Sequence, residues 1–237
     1  MMDILRQAAE GLLDLVYPPA CYACGEFGPA YVCDSCLSKI EPVAAPYCAV
    51  CGHTMRGDGC RNCISRERAF LKSRAAGNYD GILKELVHEF KYRGARCLAD
   101  PLSAFMSDYL AGSGEFDMQK IDCMIPIPIH AIRKRIRGYN QSELLADGIS
   151  RLLQIPVLHD AVCRTVYTTP QARLSREMRM LNMKSVFRVA KPDMISGKQI
   201  MLIDDVSTTS STIHECARIL MESGAEEVSA FCLAFDY

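Results

Sequence analysis

The chain has 237 residues, enough for one large domain or for a small module followed by a domain of ordinary size. Its formal net charge of −1 argues against a general attraction of the whole protein to nucleic acid. The charge is unevenly spread: residues 1–60 carry seven acidic and three basic side chains, whereas residues 61–96 carry four acidic and nine basic ones. This basic stretch suits either a solvated helix face or a surface that binds a partner.

Residues 1–19 are predicted to form an amphipathic helix. Apolar side chains recur at helical spacing from Leu5 to Val16, and Pro18 and Pro19 end the pattern. Four charged side chains interrupt the apolar residues, which is not typical of a secretory signal. Because the chain also has no run of about 18 apolar residues, we expect no membrane span and a cytoplasmic protein with reduced cysteines.

Residues 20–66 are predicted to form a double zinc ribbon. Eight of the thirteen cysteines lie there, and residues 21–36 and 48–63 repeat one spacing with a glycine after the second cysteine. They form four Cys-x-x-Cys pairs: Cys21/Cys24, Cys33/Cys36, Cys48/Cys51 and Cys60/Cys63. Each pair places two thiolates about one tetrahedral edge apart, and two pairs complete a closed structural zinc site.

The spacing leaves open which pairs share a metal. Sequential sites would each close over eight intervening residues, and interleaved sites would leave 23 between pairs. Other uses fit less well. A reducing compartment disfavours disulfides, a thioredoxin-like redox site needs one pair, and the duplicated ribbon pattern favours zinc over an iron–sulfur cluster. Two structural zinc ions are therefore expected to hold a module too small for its own core.

Residues 67–237 are predicted to form an α/β domain, because strand and helix patterns alternate along them. Strands are predicted near 72–79, 121–129, 157–162, 185–189, 199–204 and 227–234, and helices near 81–92, 98–111, 140–153 and 212–223. This order predicts a mainly parallel sheet with right-handed crossovers and helices on both faces. Pro126 and Pro128 should end the ladder of the strand over 121–129.

The segment 200–212 carries the strongest functional signal. An apolar run ends in Asp204 and Asp205, five hydroxyl residues follow from Thr208 to Thr212, and a helix pattern comes next. Ligands bind at the carboxyl ends of strands in open α/β folds. Hydroxyls and a helix N-terminus suit a phosphate, and carboxylates suit sugar hydroxyls or hydrated Mg²⁺. The pattern predicts a sugar-phosphate site, and its plain alternative is a buried strand with a Ser/Thr-rich helix cap.

Two further segments are candidates for the same site. Residues 133–141 follow a Pro-Ile-Pro turn and have four basic side chains in five positions, which suits a polyanion or a solvated loop. Residues 164–182 are polar and longer than an ordinary connection, which indicates a mobile lid or an exposed insertion.

The ordered set of motifs resembles the ComF family, competence-associated members of the type I phosphoribosyltransferases. Besides the four cysteine pairs and the segment 200–212, the motifs are Leu-Leu-Asp-Leu-Val-Tyr-Pro-Pro at 12–19, Phe-Lys-Tyr-Arg-Gly at 90–94, Pro-Ile-Pro at 126–128, Arg-Gly-Tyr-Asn-Gln at 137–141, and Gln171 to Asn182. Each motif is weak alone, but their common order along nearly the whole chain is specific.

The resemblance implies a type I phosphoribosyltransferase fold with a site for phosphoribosyl pyrophosphate and Mg²⁺. Asp204 and Asp205 would hold the ribose hydroxyls, with Asp205 as the candidate base near C1. The 5′-phosphate would lie against five residues, Thr208, Thr209, Ser210, Ser211 and Thr212. The pyrophosphate would lie near Arg133, Arg137 and Gln141. Residues 164–182 would close over it, and pyrophosphate would be displaced from C1 by an acceptor.

Two positions depart from the family pattern. Ser210 stands where the phosphate loop usually has glycine, and Glu177-Met178-Arg179 stands where relatives have Ala-Glu-Arg. A side chain at position 210 either crowds the phosphate or requires a non-glycine residue in an unusual backbone conformation. Both changes favour binding over efficient turnover. The family implies a role in DNA uptake or in handling incoming single-stranded DNA. The rival hypothesis is an adaptor that binds DNA or a DNA-uptake protein through its zinc ribbon and basic stretch, with the α/β domain as a ligand sensor.

Overall fold

The computed structural model describes residues 18–43, 45–55, 59–60, 63, 68–166 and 186–236. The predicted helix over 1–19 lies almost wholly outside these residues, as does most of the predicted closing segment 164–182. Within the described part, no helix has the length and apolar character needed to cross a membrane.

A parallel sheet forms the centre of the body. The strands are β1 Ser73–Asn78, β2 Cys123–Pro126, β3 Val162–Arg164, β4 Phe187–Val189, β5 Gln199–Ser207 and β6 Glu227–Phe235. Four of them form one parallel sheet in the order β1-β6-β5-β2, while β3 and β4 pair separately as an antiparallel ladder. Consecutive residues of β5 and β6 are buried, as expected for central parallel strands covered on both faces.

Helices cover both faces of this sheet. The helices are α1 Asp34–Leu37, α2 Gly81–Tyr92, α3 Ala99–Gly112, α4 Ala131–Arg137, α5 Gln141–Leu153 and α6 Ser211–Glu222. One face packs against α2, α3 and α5, and the other against α6 and the β3–β4 ladder. The predicted α/β architecture, with a mainly parallel sheet between helices, is therefore confirmed.

The strand predicted at 157–162 lies instead at Val162–Arg164, outside the parallel sheet. Val157 forms only an isolated parallel bridge to Met124. Asp160 then takes a left-handed conformation with φ of 55°, which an extended strand cannot include. The chain leaves the sheet at this point, and the strand that follows pairs with β4 instead.

The basic segment after the Pro-Ile-Pro turn contains a helix, α4, where a loop was expected. His130 Nδ1 accepts the N–H of Ile132 at 3.2 Å and caps the start of the helix. Gly138, with φ of 86°, ends it. The basic side chains between these caps are good helix formers, so the capped segment folds as a helix.

The N-terminal module wraps around the edge strand β1. Its first cysteine repeat packs on the sheet face that carries α2, and its second on the face that carries α6. Between them, the N–H of Asn78 donates to Glu41 O at 2.9 Å and the N–H of Ser73 donates to Val50 O at 2.7 Å. The module thereby covers an otherwise unpaired strand edge. The predicted boundary between residues 66 and 67 stays a prediction, because module and body share both apolar cores.

Candidate functional site

Asp204 and Asp205 lie near the carboxyl end of β5, beside the point where β2 stops. The β2–β5 register ends at Pro126 and Ile203, while the β5–β6 register continues to Ser207. The proline ends the ladder as the sequence predicts. Both aspartates are part of the strand, which is longer than the predicted 199–204, and they lie at a notch in the sheet edge.

Lys91, in the last turn of α2, forms an ion pair with Asp205. Its Nζ lies 2.9 Å from Asp205 Oδ1, and the two side chains are 15% and 12% exposed. Burial disfavours the ammonium, but the attraction of Asp205 and their hydrogen bond outweigh burial and raise the pKa of Lys91. Sequence reasoning assigned Lys91 no role. The sequence feature that could have indicated a role for Lys91 is its position four residues after Val87, next to the apolar stripe of the helix.

Asp204 lies in a different environment from its neighbour. Its Oδ1 accepts the hydroxyl of Ser142, in the first turn of α5, at 3.1 Å and the N–H of Asp205 at 2.9 Å. Burial raises the pKa of Asp204 to about 7, and the charge of Asp205 adds to the rise while Lys91 opposes it. Two adjacent carboxyls thus differ: one is paired with an ammonium, and the other exchanges its proton near neutral pH.

The hydroxyl loop, residues 208–212, turns the chain from β5 into α6. Ser210 is buried in the left-handed conformation, with φ of 55° and ψ of 18°, so serine occupies a backbone position that favours glycine, one of the two consequences expected of the substitution. Its Oγ lies 3.3 Å from Ser207 Oγ, and Thr209 Oγ1 lies 2.7 Å from Ser211 Oγ. The other four loop residues are at least partly exposed, and the first N–H groups of α6 adjoin them.

The basic side chains of α4 lie beside Gln141, the first residue of α5. Arg137 Nη1 donates to Gln141 Oε1 at 2.6 Å, and Gln141 Nε2 donates to Phe90 O at 3.0 Å. Gln141 is fully buried, and its amide holds the guanidinium of Arg137 in place. Arg133, one turn earlier on α4, is partly exposed. The ligand roles of these three residues stay predictions.

Arg164, at the end of β3, brings a second guanidinium towards the same region. Burial lowers its pKa, and the positive charge of Arg133 lowers it further, while Asp204 acts in the opposite direction. Arg164 is therefore close enough to Arg133 and to Asp204 to be influenced by the charge of each. Such a group of arginines suits a polyanion.

Each half of the cysteine repeat forms its own cluster, Cys21/Cys24/Cys33/Cys36 and Cys48/Cys51/Cys60/Cys63. The four Sγ atoms of each cluster lie within 4.8 Å of one another. Individual separations are 3.8 Å for Cys24–Cys33, 3.9 Å for Cys48–Cys63 and 3.4 Å for Cys51–Cys60. A tetrahedral zinc ion with Zn–S bonds of about 2.3 Å needs about 3.8 Å. The thiols fit two zinc ions, the pairing is sequential, and none of the thirteen described cysteines is in a disulfide.

One thiol of each cluster is prepared for metal binding by backbone hydrogen bonds. Burial opposes the thiolate of Cys21, but N–H groups, including that of Cys33 at 3.5 Å, outweigh burial and lower its pKa to about 6. In the second cluster, burial again opposes the thiolate, and the N–H groups of Cys51 and Val50 help to lower the pKa of Cys48 to about 7. Because the thiolate is the metal-binding form, these two thiols favour metal binding, whereas burial raises the pKa of Cys36 to about 12 and also raises that of Cys51.

Comparison with known proteins agrees with the cysteine clusters and with the motif order. Residues 12–65 match the double zinc ribbon domain. The sequence is 32% identical to Competence protein F of Haemophilus influenzae over 209 residues, which cover 86% of this chain and 90% of the relative. The chain belongs to the ComF family. It is also 31% identical to Competence protein ComFC of Bacillus subtilis, over 85% of this chain and 83% of the relative. A third relative of this ComF-family chain is DNA utilization protein YhgH of Escherichia coli K12, 30% identical over 92% of this chain and 98% of the relative.

Some solved structures share parts of the fold at low similarity. The B. subtilis glutamine phosphoribosylpyrophosphate amidotransferase superposes with a TM-score of 0.39 at 15% identity, over 57% of this chain and 26% of that one. The purine phosphoribosyltransferase of Pyrococcus horikoshii gives a TM-score of 0.33 at 17% identity, over 57% and 71%. Scores this low carry no argument about the site of this ComF-family chain, which rests on its own geometry.

Proposed function

We propose that the carboxyl edge of the sheet binds phosphoribosyl pyrophosphate together with Mg²⁺. One observation carries the proposal: along β5 and its turn, two adjacent carboxylates are followed by a hydroxyl loop and by the N-terminus of the twelve-residue helix α6. Carboxylates bind hydroxyls and hydrated divalent cations, whereas hydroxyls and helix N-termini bind phosphate. A ribose with a 5′-phosphate presents both kinds of group on one molecule.

Different parts of this ligand are proposed to bind to different described residues. Asp204 and Asp205 are proposed to take the ribose hydroxyls, the hydroxyl loop the 5′-phosphate, and Arg133 and Arg137 the pyrophosphate. Gln141 acts at one remove, because its amide holds the guanidinium of Arg137. Mg²⁺, when bound with the ligand, neutralises negative charge on the leaving pyrophosphate.

The chemistry that suits this site is transfer of ribose 5-phosphate from pyrophosphate to an acceptor at C1. A group that takes up a proton at neutral pH needs a pKa near 7, which Asp204 has. Asp205 is already engaged in the ion pair with Lys91. We therefore propose Asp204 as the base in place of Asp205. Ser210 occupies the usual glycine position, which favours binding over fast turnover.

The names of the relatives support a proposal for the biological role. Two of the relatives are named as competence proteins and a third as a DNA utilization protein. We propose that this chain acts in the cytoplasm in DNA uptake or in handling incoming single-stranded DNA.

A second function, nucleic-acid binding by an adaptor, is favoured by an exposed surface beside α4. Tyr92 is 67% exposed, and the guanidinium of Arg137 lies 5.5 Å from the centroid of its ring. Ile136, on the same helix as Arg137, is 79% exposed. An exposed aromatic ring next to arginine suits the stacking of an unpaired base.

The basic stretch at 61–96 supports this adaptor function less well. Lys72 and Arg74 both pair with Glu115, and Lys91 pairs with Asp205. Because these three of the nine basic side chains are already engaged with carboxylates, they contribute less to an exposed basic surface than the charge of the stretch indicates.

Isothermal titration calorimetry with Mg²⁺ and phosphoribosyl pyrophosphate at pH 8 tests the ligand proposal. The wild type should bind, and Asp204→Asn/Asp205→Asn should lose at least about hundredfold in affinity, since hydrogen bonds to charged groups contribute about 1.5–3 kcal/mol each. Glu226→Gln/Glu227→Gln is the matched control, because it neutralises two adjacent carboxylates where β6 begins, at the opposite edge. The ligand site is excluded if the wild type gives no heat or both double variants lose affinity equally. Binding without pyrophosphate release across a panel of nucleobases would favour the sensor over the enzyme.

Fluorescence anisotropy with a single-stranded oligonucleotide, measured over a salt series, tests the adaptor function. Tyr92→Leu should weaken binding about fivefold to hundredfold, the range for losing one stacked base. Phe27→Leu is the control, because this ring is 76% exposed but belongs to the first cysteine repeat. A loss confined to Phe27→Leu would place the nucleic acid on the zinc ribbon instead.

A further inference from the structure

One side chain, His53, joins the second cysteine cluster to the hydroxyl loop. His53 follows Cys51 by two residues and is 6% exposed. Its Nε2 lies 2.5 Å from Thr208 O, and its Nδ1 lies 3.2 Å from Cys51 O. One buried ring thus spans the backbone of a metal-binding residue and the backbone of the first loop residue.

The surroundings of His53 leave its ring little freedom. The ring stacks on Phe235 with centroids 4.9 Å apart and planes 25° apart. Gly52, just before it, has φ of 71°, and a Cβ atom there would lie 2.5 Å from Ser73 O and 2.7 Å from the Phe235 ring. Phe235 is also the partner of Ser207 in the β5–β6 register. The ring is therefore held between the tight turn of the cysteine cluster and the end of β6, next to the strand β5 that leads into the loop.

A second histidine links the far end of the loop to the same part of the chain. His214, in the first turn of α6, accepts the N–H of Ala69 at Nδ1, at 3.1 Å. The N–H of His214 donates to Ser210 O at 2.8 Å. Both ends of the loop are thus held: Thr208 contacts the second cysteine repeat, and the start of α6 contacts Ala69, which follows that repeat.

We propose that the second cysteine cluster, when it holds its metal, positions the hydroxyl loop through His53 and thereby sets the affinity of the loop for its anion. The module is too small to keep the turn at Cys51 and Gly52 by apolar packing of its own, so the metal is the cross-link that fixes this turn. His53 transmits the position of the turn to Thr208 O. It is a positioning residue, since it acts on the loop through the backbone carbonyl of Thr208.

The first cysteine cluster provides a natural comparison. It binds metal with the same spacing, but it packs on the opposite face of the sheet, with α2. Among the described residues, none of its cysteines contacts the hydroxyl loop. Losing metal there should leave the loop unchanged, whereas losing metal at the second cluster should loosen it. Only the identity of the anion rests on the proposed function, because the link itself rests on contacts within the chain.

Hydrogen exchange followed by mass spectrometry, on peptides that cover residues 207–213 of the zinc-loaded full chain, tests the link. His53→Phe keeps a ring to stack on Phe235 and removes the donor, so loop amides should exchange about twofold to tenfold faster, the effect of losing one hydrogen bond. His53→Gln, which restores a donor, should recover much of the protection. Unchanged exchange in His53→Phe, or no recovery in His53→Gln, would overturn the proposal.

Two double variants test the role of the metal. Cys60→Ser/Cys63→Ser should lose one zinc by elemental analysis and speed exchange in the loop as His53→Phe does. Cys24→Ser/Cys33→Ser should lose one zinc with no change in the loop, and equal acceleration in both would overturn the proposal. Phosphoribosyl pyrophosphate should bind His53→Phe about twofold to tenfold more weakly than the wild type. If the wild type does not bind this ligand, the proposed function fails while the exchange results still decide the link.

Discussion

Replacing Lys91 by methionine should destabilise the fold, because it leaves the two aspartates of β5 without their ammonium. Methionine keeps an unbranched apolar stem and removes the charge. Lys91 Nζ lies 2.9 Å from Asp205 Oδ1, with both side chains mostly buried. At that distance and an effective dielectric constant of about 20, the attraction is about 6 kcal/mol before any desolvation cost. Removing one partner of a buried pair costs about 3–5 kcal/mol, and the residual exposure of this pair favours a loss of about 3 kcal/mol at pH 8.

The loss from Lys91→Met should shrink as the pH falls. In the wild type, burial and the charge of Asp205 raise the pKa of Asp204 to about 7 against the opposing charge of Lys91, so removing Lys91 raises it further. A carboxyl whose pKa is raised by folding stabilises the fold while it is protonated, and this stabilisation is lost as the pH rises through that pKa. Lys91→Met should therefore lose more free energy of unfolding at pH 8 than at pH 5.5.

Urea unfolding at pH 5.5 and pH 8 measures both effects. Lys91→Met/Asp205→Asn should recover most of the lost free energy of unfolding, because the unpaired charge is gone. Lys84→Met, on the exposed side of the same helix, is the control and should change stability by no more than about 0.5 kcal/mol. The same loss at both pH values, or no recovery in the double variant, would refute the reasoning.

Three further predictions follow from named contacts. The affinity for phosphoribosyl pyrophosphate should rise about tenfold between pH 6 and pH 8, because Asp204 ionises through a pKa of about 7. In Asp204→Asn the affinity should depend less on pH. Calorimetry that shows the same pH dependence in the wild type and in this variant would contradict the prediction. Ser210→Gly should raise the free energy of unfolding by about 1 kcal/mol by relieving the positive φ, and thermal melting that shows a loss would mean that the contact with Ser207 matters more. Gly148→Ala should cost about 1–3 kcal/mol in urea unfolding, because the new Cβ would lie 2.0 Å from Ser103 Oγ between α3 and α5, and an unchanged midpoint would show that the helices separate freely.

Features that depend on local pattern could be predicted from the amino-acid sequence. The repeated cysteine spacing identified the metal-binding residues, since a Cys-x-x-Cys turn presents its thiols whatever surrounds it. The alternation of apolar runs and helical stripes identified α2, α3, α5, α6 and most of the sheet, because burial on the faces of the sheet requires it. The prolines after β2 predicted where its ladder ends, and serine at position 210 predicted a strained turn.

Only the tertiary structure decided which distant groups meet. Lys91 reaches Asp205 because α2 packs across the sheet, and His53 reaches Thr208, 155 positions away, because the module folds around the edge strand. The burial of Gln141, with both ends of its amide engaged within the protein, was likewise not predictable from its sequence motif. The sequential pairing of the cysteines was equally undecided by spacing, since both arrangements satisfy the same turns. Contacts of this kind depend on which helices and strands pack together. The spacing of apolar residues along the chain predicts these elements but not how they pack.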